Sequence, residues 1–232
     1  RNKLEFSFFG DKESGQLSLA FHRRGTKHGK IPLTGTHMAT DPMNRYAQVI
    51  LENLNSRGSK RDQVKFLQIR YSFYTKTVTA YLFVLDRECD WTWMSQLLDE
   101  TLVGIQVIYS DPRSPVSVSS EVLVQGGDTQ VTEKLLDKEF VYPGHGFFQV
   151  NVPLFATVLE DIKAYVDSCT TGQELLLDLY SGVGVIGIAC AEYVDKVIGV
   201  ESFPEAQLYA QHNASINQLS QFEFKEDTVE SA

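Results

Sequence analysis

The stretch from Leu175 to Asn217 constrains this chain more than any other part of it. Leu175-Leu176-Leu177-Asp178-Leu179-Tyr180 is a short, nearly continuous apolar run, the composition expected of a parallel strand buried on both faces. Ser181-Gly182-Val183-Gly184-Val185-Ile186-Gly187 follows at once, matches G-x-G-x-x-G and opens into the helical stretch Ile188 to Tyr193. Lys196-Val197-Ile198-Gly199-Val200-Glu201 reads as a second buried strand, ending in a carboxylate 19 residues after Gly182. A helix from about Pro204 to Asn217 completes a β-α-β-α run, so this part predicts a Rossmann-like α/β layer.

Each part of the run has a physical job. Glycines such as Gly182 and Gly184 let the backbone turn sharply and approach a ligand, and a carboxylate at the end of the second strand, Glu201, can accept hydrogen bonds from both ribose hydroxyls. A nucleoside cofactor is the shared implication. The glycine pattern alone does not separate a dinucleotide dehydrogenase from a methyltransferase, because both hold an adenosine at the switch point of the sheet. Asp178, four residues before the first glycine, discriminates. A pyrophosphate at the first turn would meet an unhelpful acid, whereas the sulfonium and α-amino group of S-adenosylmethionine are cationic and favour one. S-adenosylmethionine is therefore the preferred cofactor, with an NAD-dependent dehydrogenase and a fold that binds nothing as the alternatives.

The rest of the chain sets the context. Its 232 residues, 43% hydrophobic and 11% aromatic, suffice for one or two packed domains. No apolar run reaches the length of a membrane span, and Arg1-Asn2-Lys3-Leu4-Glu5 has neither an initiator Met nor the layout of a signal peptide. The chain thus reads as a piece of a longer protein. Cys89, Cys169 and Cys190 are odd in number, far apart and not arranged as C-x-x-C, which speaks against disulfides and zinc and for a cytoplasmic location. The net charge of −9 hides an asymmetry: residues 1–87 carry 15 Lys and Arg against 7 Asp and Glu, residues 88–232 the remaining 6 against 23. A basic N-terminal part on an acidic body hints at a polyanionic partner.

That N-terminal part reads as an α+β unit. Strands are expected at Asn2 to Phe9 and Gln16 to His22, and a helix from Pro42 to Arg57 with Asp41 as N-cap. A strand pair at Val64 to Tyr71 and Thr77 to Leu85, a second helix from about Trp91 to Leu102 and a strand at Ile105 to Tyr109 follow. Asp111 to Pro115 and Gly126 to Asp128 read as turns, and Phe140 to Gln149 as a strand broken at Pro143 to Gly146. The domain boundary is placed at 145/146, and an amphipathic helix should run from Asn151, its N-cap, to about Ser168 with Leu154, Phe155, Val158, Leu159, Ile162 and Val166 on one face. His28, His37 and His145 read as solvated loop residues.

Phe147-Phe148-Gln149-Val150-Asn151, the Leu175 to Gly187 stretch, Val197 to Glu201 and the Asn213 to Asn217 pattern together resemble the RNA uracil-5-methyltransferases that make 5-methyluridine in tRNA and 23S ribosomal RNA. Arg1-Asn2-Lys3 and Gly15 to Phe21 resemble the start of that family's central domain. The likeness implies an RNA-facing α+β central domain over residues 1–145 and the first half of a class I methyltransferase domain over 146–232. It implies that Gln149 lies beside donor and target base, with Phe148 also near the base, that Tyr180 and Val185 line the donor pocket, that Glu201 holds the ribose and that Asp227 or Thr228 meets the adenine. It also implies catalysis by a cysteine that adds to uracil C6 and a glutamate base that removes the C5 proton, both beyond Ala232. This piece alone is then expected to be inactive and its parent active. Some relatives hold an iron-sulfur cluster, but its last cysteine would fall near Thr36 or His37, so neither cluster nor other metal is expected. Ser181 stands where the family usually has Cys. The Phe147 to Asn151 form leans toward ribosomal RNA over tRNA; a non-catalytic RNA-binding module is the alternative from a different class.

Overall fold

The computed structural model describes residues 1–26, 29–111, 121–171 and 173–228. His28 and Pro112 to Pro115 lie outside the described residues. The chain divides into two compact units: Arg1–Ser72 with Lys76–Gln130, and Phe73–Thr75 with Val131–Ala232.

The first unit is built on one seven-stranded sheet. In chain order its strands are β1 (Lys3–Gly10), β2 (Leu17–His22), β3 (Lys30–Leu33), β4 (Val64–Tyr71), β5 (Val78–Val84), β6 (Leu102–Tyr109) and β7 (Glu121–Gly127), with helix α1 (Asp41–Ser56) between β3 and β4. The spatial order is β3-β2-β1-β4-β5-β6-β7. Among the described residues of this sheet only β5 and β6 pair in parallel, as their long crossover requires. Along β1 the period of two is plain: Leu4, Phe6 and Phe8 are buried, while Glu5 and Phe9 are exposed. α1 packs on β2 and β4 and buries Met43, Tyr46, Ala47, Ile50 and Leu54.

Two local expectations are corrected here. Thr40 occupies the N-cap of α1 and Asp41 is its first helical residue. The second helix shrinks to a short 3-10 helix, Thr92–Leu97. Its flanking aspartates explain why: Asp90 accepts the N–H of Thr92 (2.9 Å), and Asp99 those of Thr101 and Leu102 (2.8 Å each), so side chains compete with the helical ladder and release Leu102 into β6.

The second unit opens with the hairpin β8 (Gln130–Leu135) and β9 (Lys138–Pro143), followed by α2 (Val152–Cys169), β10 (Leu175–Leu179), α3 (Val185–Cys190), β11 (Lys196–Glu201), α4 (Pro204–Ile216) and β12 (Phe222–Glu226). β10, β11 and β12 form a parallel sheet in that order, with Asp178 opposite Gly199 and Glu201 opposite Glu226. The division falls at Gln130, earlier than the 145/146 boundary read from sequence. The hairpin belongs here because Val131, Leu135, Phe140 and Tyr142 share one core with Val185, Ile188 and Ala214.

β10 is not buried on both faces. Among the described residues it is the edge of its sheet, and Leu175, Leu177 and Leu179 are exposed while Asp178 turns inward. α2 shows a related departure: Leu159 is buried, but Leu154 and Val158 of the expected apolar face are exposed. Asn151 occupies the N-cap of α2 without a side-chain cap bond.

Two asparagines tie the hairpin to α4. Asn213, fully buried, accepts the N–H of Val141 (2.8 Å) and donates to the carbonyls of Val141 and Val183 (3.0 Å each). One helical turn later Asn217 accepts the N–H of Glu139 (3.0 Å) and donates to its carbonyl (2.7 Å). Their amides imitate a neighbouring strand along β9 and satisfy polar groups that would otherwise be orphaned.

Candidate functional site

At the C-terminal ends of β10 and β11 the second unit encloses a cavity of about 540 Å³. The chain reverses there through a run of unusual backbone conformations: Tyr180 (φ 60°), Gly182 (53°) and Gly184 (83°). An exposed tyrosine in the left-handed region is an outlier of the kind that gathers at ligand sites. The three glycines of the motif do different work. A Cβ on Gly182 would meet nothing, so this residue leaves open space beside the cavity; a Cβ on Gly184 would press on Ala210 of α4 (3.3 Å). At Gly187 a Cβ would come within 2.6 Å of the Phe222 ring and 3.0 Å of the Asp178 carboxylate, so this glycine lets α3 lie close on the sheet.

The loop's amides are already engaged. Gly182 donates to Glu201 Oε2 (3.0 Å), Gly184 to the Ser181 carbonyl (2.8 Å) and Gly187 to Asp178 Oδ2 (2.8 Å). Glu201 Oε1 also accepts the N–H of Phe203 (2.8 Å). Two of these donors, at Gly182 and Gly187, therefore face the protein's own carboxylates and are not offered to a pyrophosphate. Among the described residues the cavity wall carries Asp178 and Glu201 and neither Lys nor Arg. The Oγ of Ser181, also in the wall, is buried without a hydrogen-bond partner. A site of this composition suits a ligand with a cationic end, hydroxyl donors and an apolar ring.

Of the residues singled out from sequence, Phe148, Gln149, Asp178, Tyr180, Gly182, Val185 and Glu201 line the cavity. Gly184, Asp227 and Thr228 do not; Gly184 packs on α4, and Asp227 is tied to the site through its N–H, which donates to the Glu201 carbonyl (3.2 Å). Phe148 is 3% exposed and stacks on Tyr142 at 4.0 Å, whereas Phe147 is 78% exposed, so the aromatic face open to a ligand belongs to Phe147. Sequence reasoning also passed over Phe203, an exposed wall residue at the N-cap of α4. Its signal is an aromatic two positions beyond the strand-end carboxylate. His145, expected as solvated, lies 3.6 Å from Glu205.

Burial pushes the Asp178 carboxyl above its ordinary range, and the Gly187 N–H opposes this in part. A raised folded-state value means that the ionised form is disfavoured by folding, a cost present at neutral pH and relieved as pH falls through that value. Asp178→Asn, which keeps an acceptor for Gly187, is expected to raise the stability of the second unit at pH 7 in a urea titration. The same change should weaken a cationic ligand. Wild-type affinity for that ligand should fall as pH drops through the raised value, and the variant's affinity should not.

The cysteines are not poised as nucleophiles in this cavity. Burial pushes the thiols of Cys89 and Cys190 up to about 11 each, and none of the three lines the wall. No group of three or more His, Cys, Asp or Glu among the described residues is placed to hold a metal ion, and no helix among them is long and apolar enough to cross a membrane.

No protein-family model matches the chain. An uncharacterized RNA methyltransferase of Lactobacillus johnsonii is 36% identical over 238 residues, covering 99% of this chain and 51% of that protein. One of Chlamydia trachomatis serovar D is 44% identical over 253 residues, covering 98% of this chain and 62% of the relative. Among solved structures, the Pyrococcus abyssi tRNA (uracil-54, C5)-methyltransferase in complex with S-adenosyl-L-homocysteine superposes with a TM-score of 0.74 at 19% identity, over 97% of this chain and 55% of that one. The mixed α/β fold is that of the class I S-adenosylmethionine-dependent methyltransferases. By sequence the chain belongs to the RNA methyltransferase family. It spans about half the length of the curated relatives it matches.

Proposed function

We propose that the second unit holds S-adenosylmethionine and that the parent protein methylates C5 of a uridine in RNA. The observation that carries the donor assignment is the state of the glycine loop: its amides at Gly182 and Gly187 are taken by Glu201 and Asp178, which disfavours a pyrophosphate and leaves an acidic, partly apolar pocket. In this reading Glu201 accepts the ribose hydroxyls with its remaining lone pairs and Asp178 faces the cationic amino-acid end. Phe203 offers its ring to the adenine, and Phe147 and Gln149 face the base. The donor supplies an electrophilic methyl group.

Uracil C5 is too weak a nucleophile to take that methyl unaided. The family resemblance supplies the remedy. A cysteine thiolate adds to C6, C5 bonds to the methyl as S-adenosylhomocysteine leaves, a carboxylate base removes the C5 proton, and the thiolate is expelled. Both groups are assigned to a part of the parent beyond Ala232. Ribosomal RNA is the preferred substrate on the form of Phe147 to Asn151. The test is to incubate the full parent with methyl-labelled donor and either ribosomal RNA or tRNA, then digest to nucleosides. Label in 5-methyluridine from ribosomal RNA is expected; label in another nucleoside would sink the uracil assignment, and label from tRNA alone the ribosomal one.

A further inference from the structure

We propose that a basic cavity on the face of β1 that carries Glu5, Ser7 and Phe9 seats a backbone phosphate of single-stranded RNA, with a nucleoside against Phe9. The proposal rests on the reading of the parent as an RNA methyltransferase and adds an RNA contact confined to the first unit. The cavity measures about 670 Å³ and is lined also by His22, Lys30, Arg61 and Lys65. Its one carboxylate, Glu5, is paired with Lys3 at 3.1 Å.

The cations are positioned by oxygens that carry no net charge. Lys30 Nζ donates to the carbonyl of Phe8 (2.7 Å), Arg61 to that of Val64 (2.6 Å), and Lys65 Nζ bonds Ser110 Oγ (2.8 Å). Among the described residues neither Lys30 nor Arg61 forms an ion pair. Arg61 keeps further donors on its guanidinium fork. Lys65 stands at a break in the register of β4 against β5, between Val64 and Phe66, and such bulges re-aim side chains. Gly10 makes room for the cluster: a Cβ there would lie 2.9 Å from Arg61 Cβ.

Holding these charges together is unfavourable without an anion. Burial, and then the Arg61 charge, pull the Lys30 ammonium down to about 8. Burial also lowers Arg61, and the neighbouring Asp62 carboxylate opposes this in part. The charged groups facing Lys30 in the cavity wall are Glu5, Arg61 and Lys65, and His22 lines it as well. A phosphate would relieve the repulsion, and Phe9, 37% exposed, gives a sequence-tolerant stacking surface. Arg23 and Arg24, exposed directly after His22, extend the positive field outward, which suits a polyanion better than a free nucleotide.

The test uses the full chain and a labelled single-stranded oligouridylate, with anisotropy as the readout. Lys30→Gln and Arg61→Gln should each weaken RNA roughly tenfold and lower the salt slope by about 1. Gly10→Val, which removes no charge but displaces Arg61, should weaken RNA as well, and exposed Lys12→Gln should do much less. Wild-type affinity should fall as pH rises past about 8, a dependence lost in Lys30→Gln. ATP at matched phosphate concentration should not displace the RNA. Loss in Lys30→Gln and Arg61→Gln no greater than in Lys12→Gln would overturn the proposal, as would displacement by ATP, which would mark a nucleotide seat. S-adenosylhomocysteine binding, measured in parallel, should be unchanged in all these variants. Its absence from wild type would defeat the donor reading while leaving the RNA result to stand.

Discussion

Asn213→Leu is expected to lower the stability of the second unit by at least about 3 kcal/mol, because it strands a buried N–H and two buried carbonyls at about 1 to 3 kcal/mol each. The three groups belong to Val141 of β9 and Val183 of the glycine loop, so one side chain couples the hairpin to the ligand-facing turn. Leucine keeps the branched heavy-atom skeleton of asparagine and is not smaller, so the loss reports missing hydrogen bonds and not a cavity. Native-state hydrogen exchange at the Val141 amide reads the effect directly. Protection there should collapse; protection equal to wild type would show that the amide ladder between α4 and β9 does not hold the unit together. Asn217→Leu, at the partly buried end of the same ladder, should cost less.

Glu201→Ala is expected to weaken S-adenosylhomocysteine about a hundredfold, the loss of two charge-assisted hydrogen bonds at about 1.5 kcal/mol each. The carboxylate does more than face the ligand. It accepts from Gly182 and Phe203, so its removal also frees the loop at φ 53° and the aromatic at the start of α4. Glu201→Gln retains an acceptor for one of those amides and should fall between wild type and alanine. Equal losses in the two variants would indicate that charge, not loop geometry, carries the interaction.

The β-α-β-α run was legible because its signals are local: apolar runs, glycines at a tight turn and a carboxylate at a strand end. β3 and β7 were harder to read. Lys30-Ile31-Pro32-Leu33 holds a proline that signals no strand, and both strands are sheet edges, where pairing rather than composition decides. The residues of the hairpin β8–β9 fall before the boundary read at 145/146 because their allegiance lies in contacts with α4 some 70 residues away, at Val141 and Asn213. In the site, Asp178 was chosen for its charge. What no spacing could show is that it and Glu201 occupy the loop's own amides. Phe147 and Phe148 are adjacent and alike in sequence, and only the stacking of Phe148 on Tyr142 determines which one faces outward.

The central claim is that the second unit binds a methyl donor and not a dinucleotide. Calorimetric titration of the chain with S-adenosylhomocysteine and, separately, with NAD tests it most directly. Saturable heat is expected with the former, strongly reduced in Glu201→Ala, and none with NAD. Saturable binding of NAD, or S-adenosylhomocysteine binding that Glu201→Ala leaves untouched, would contradict it.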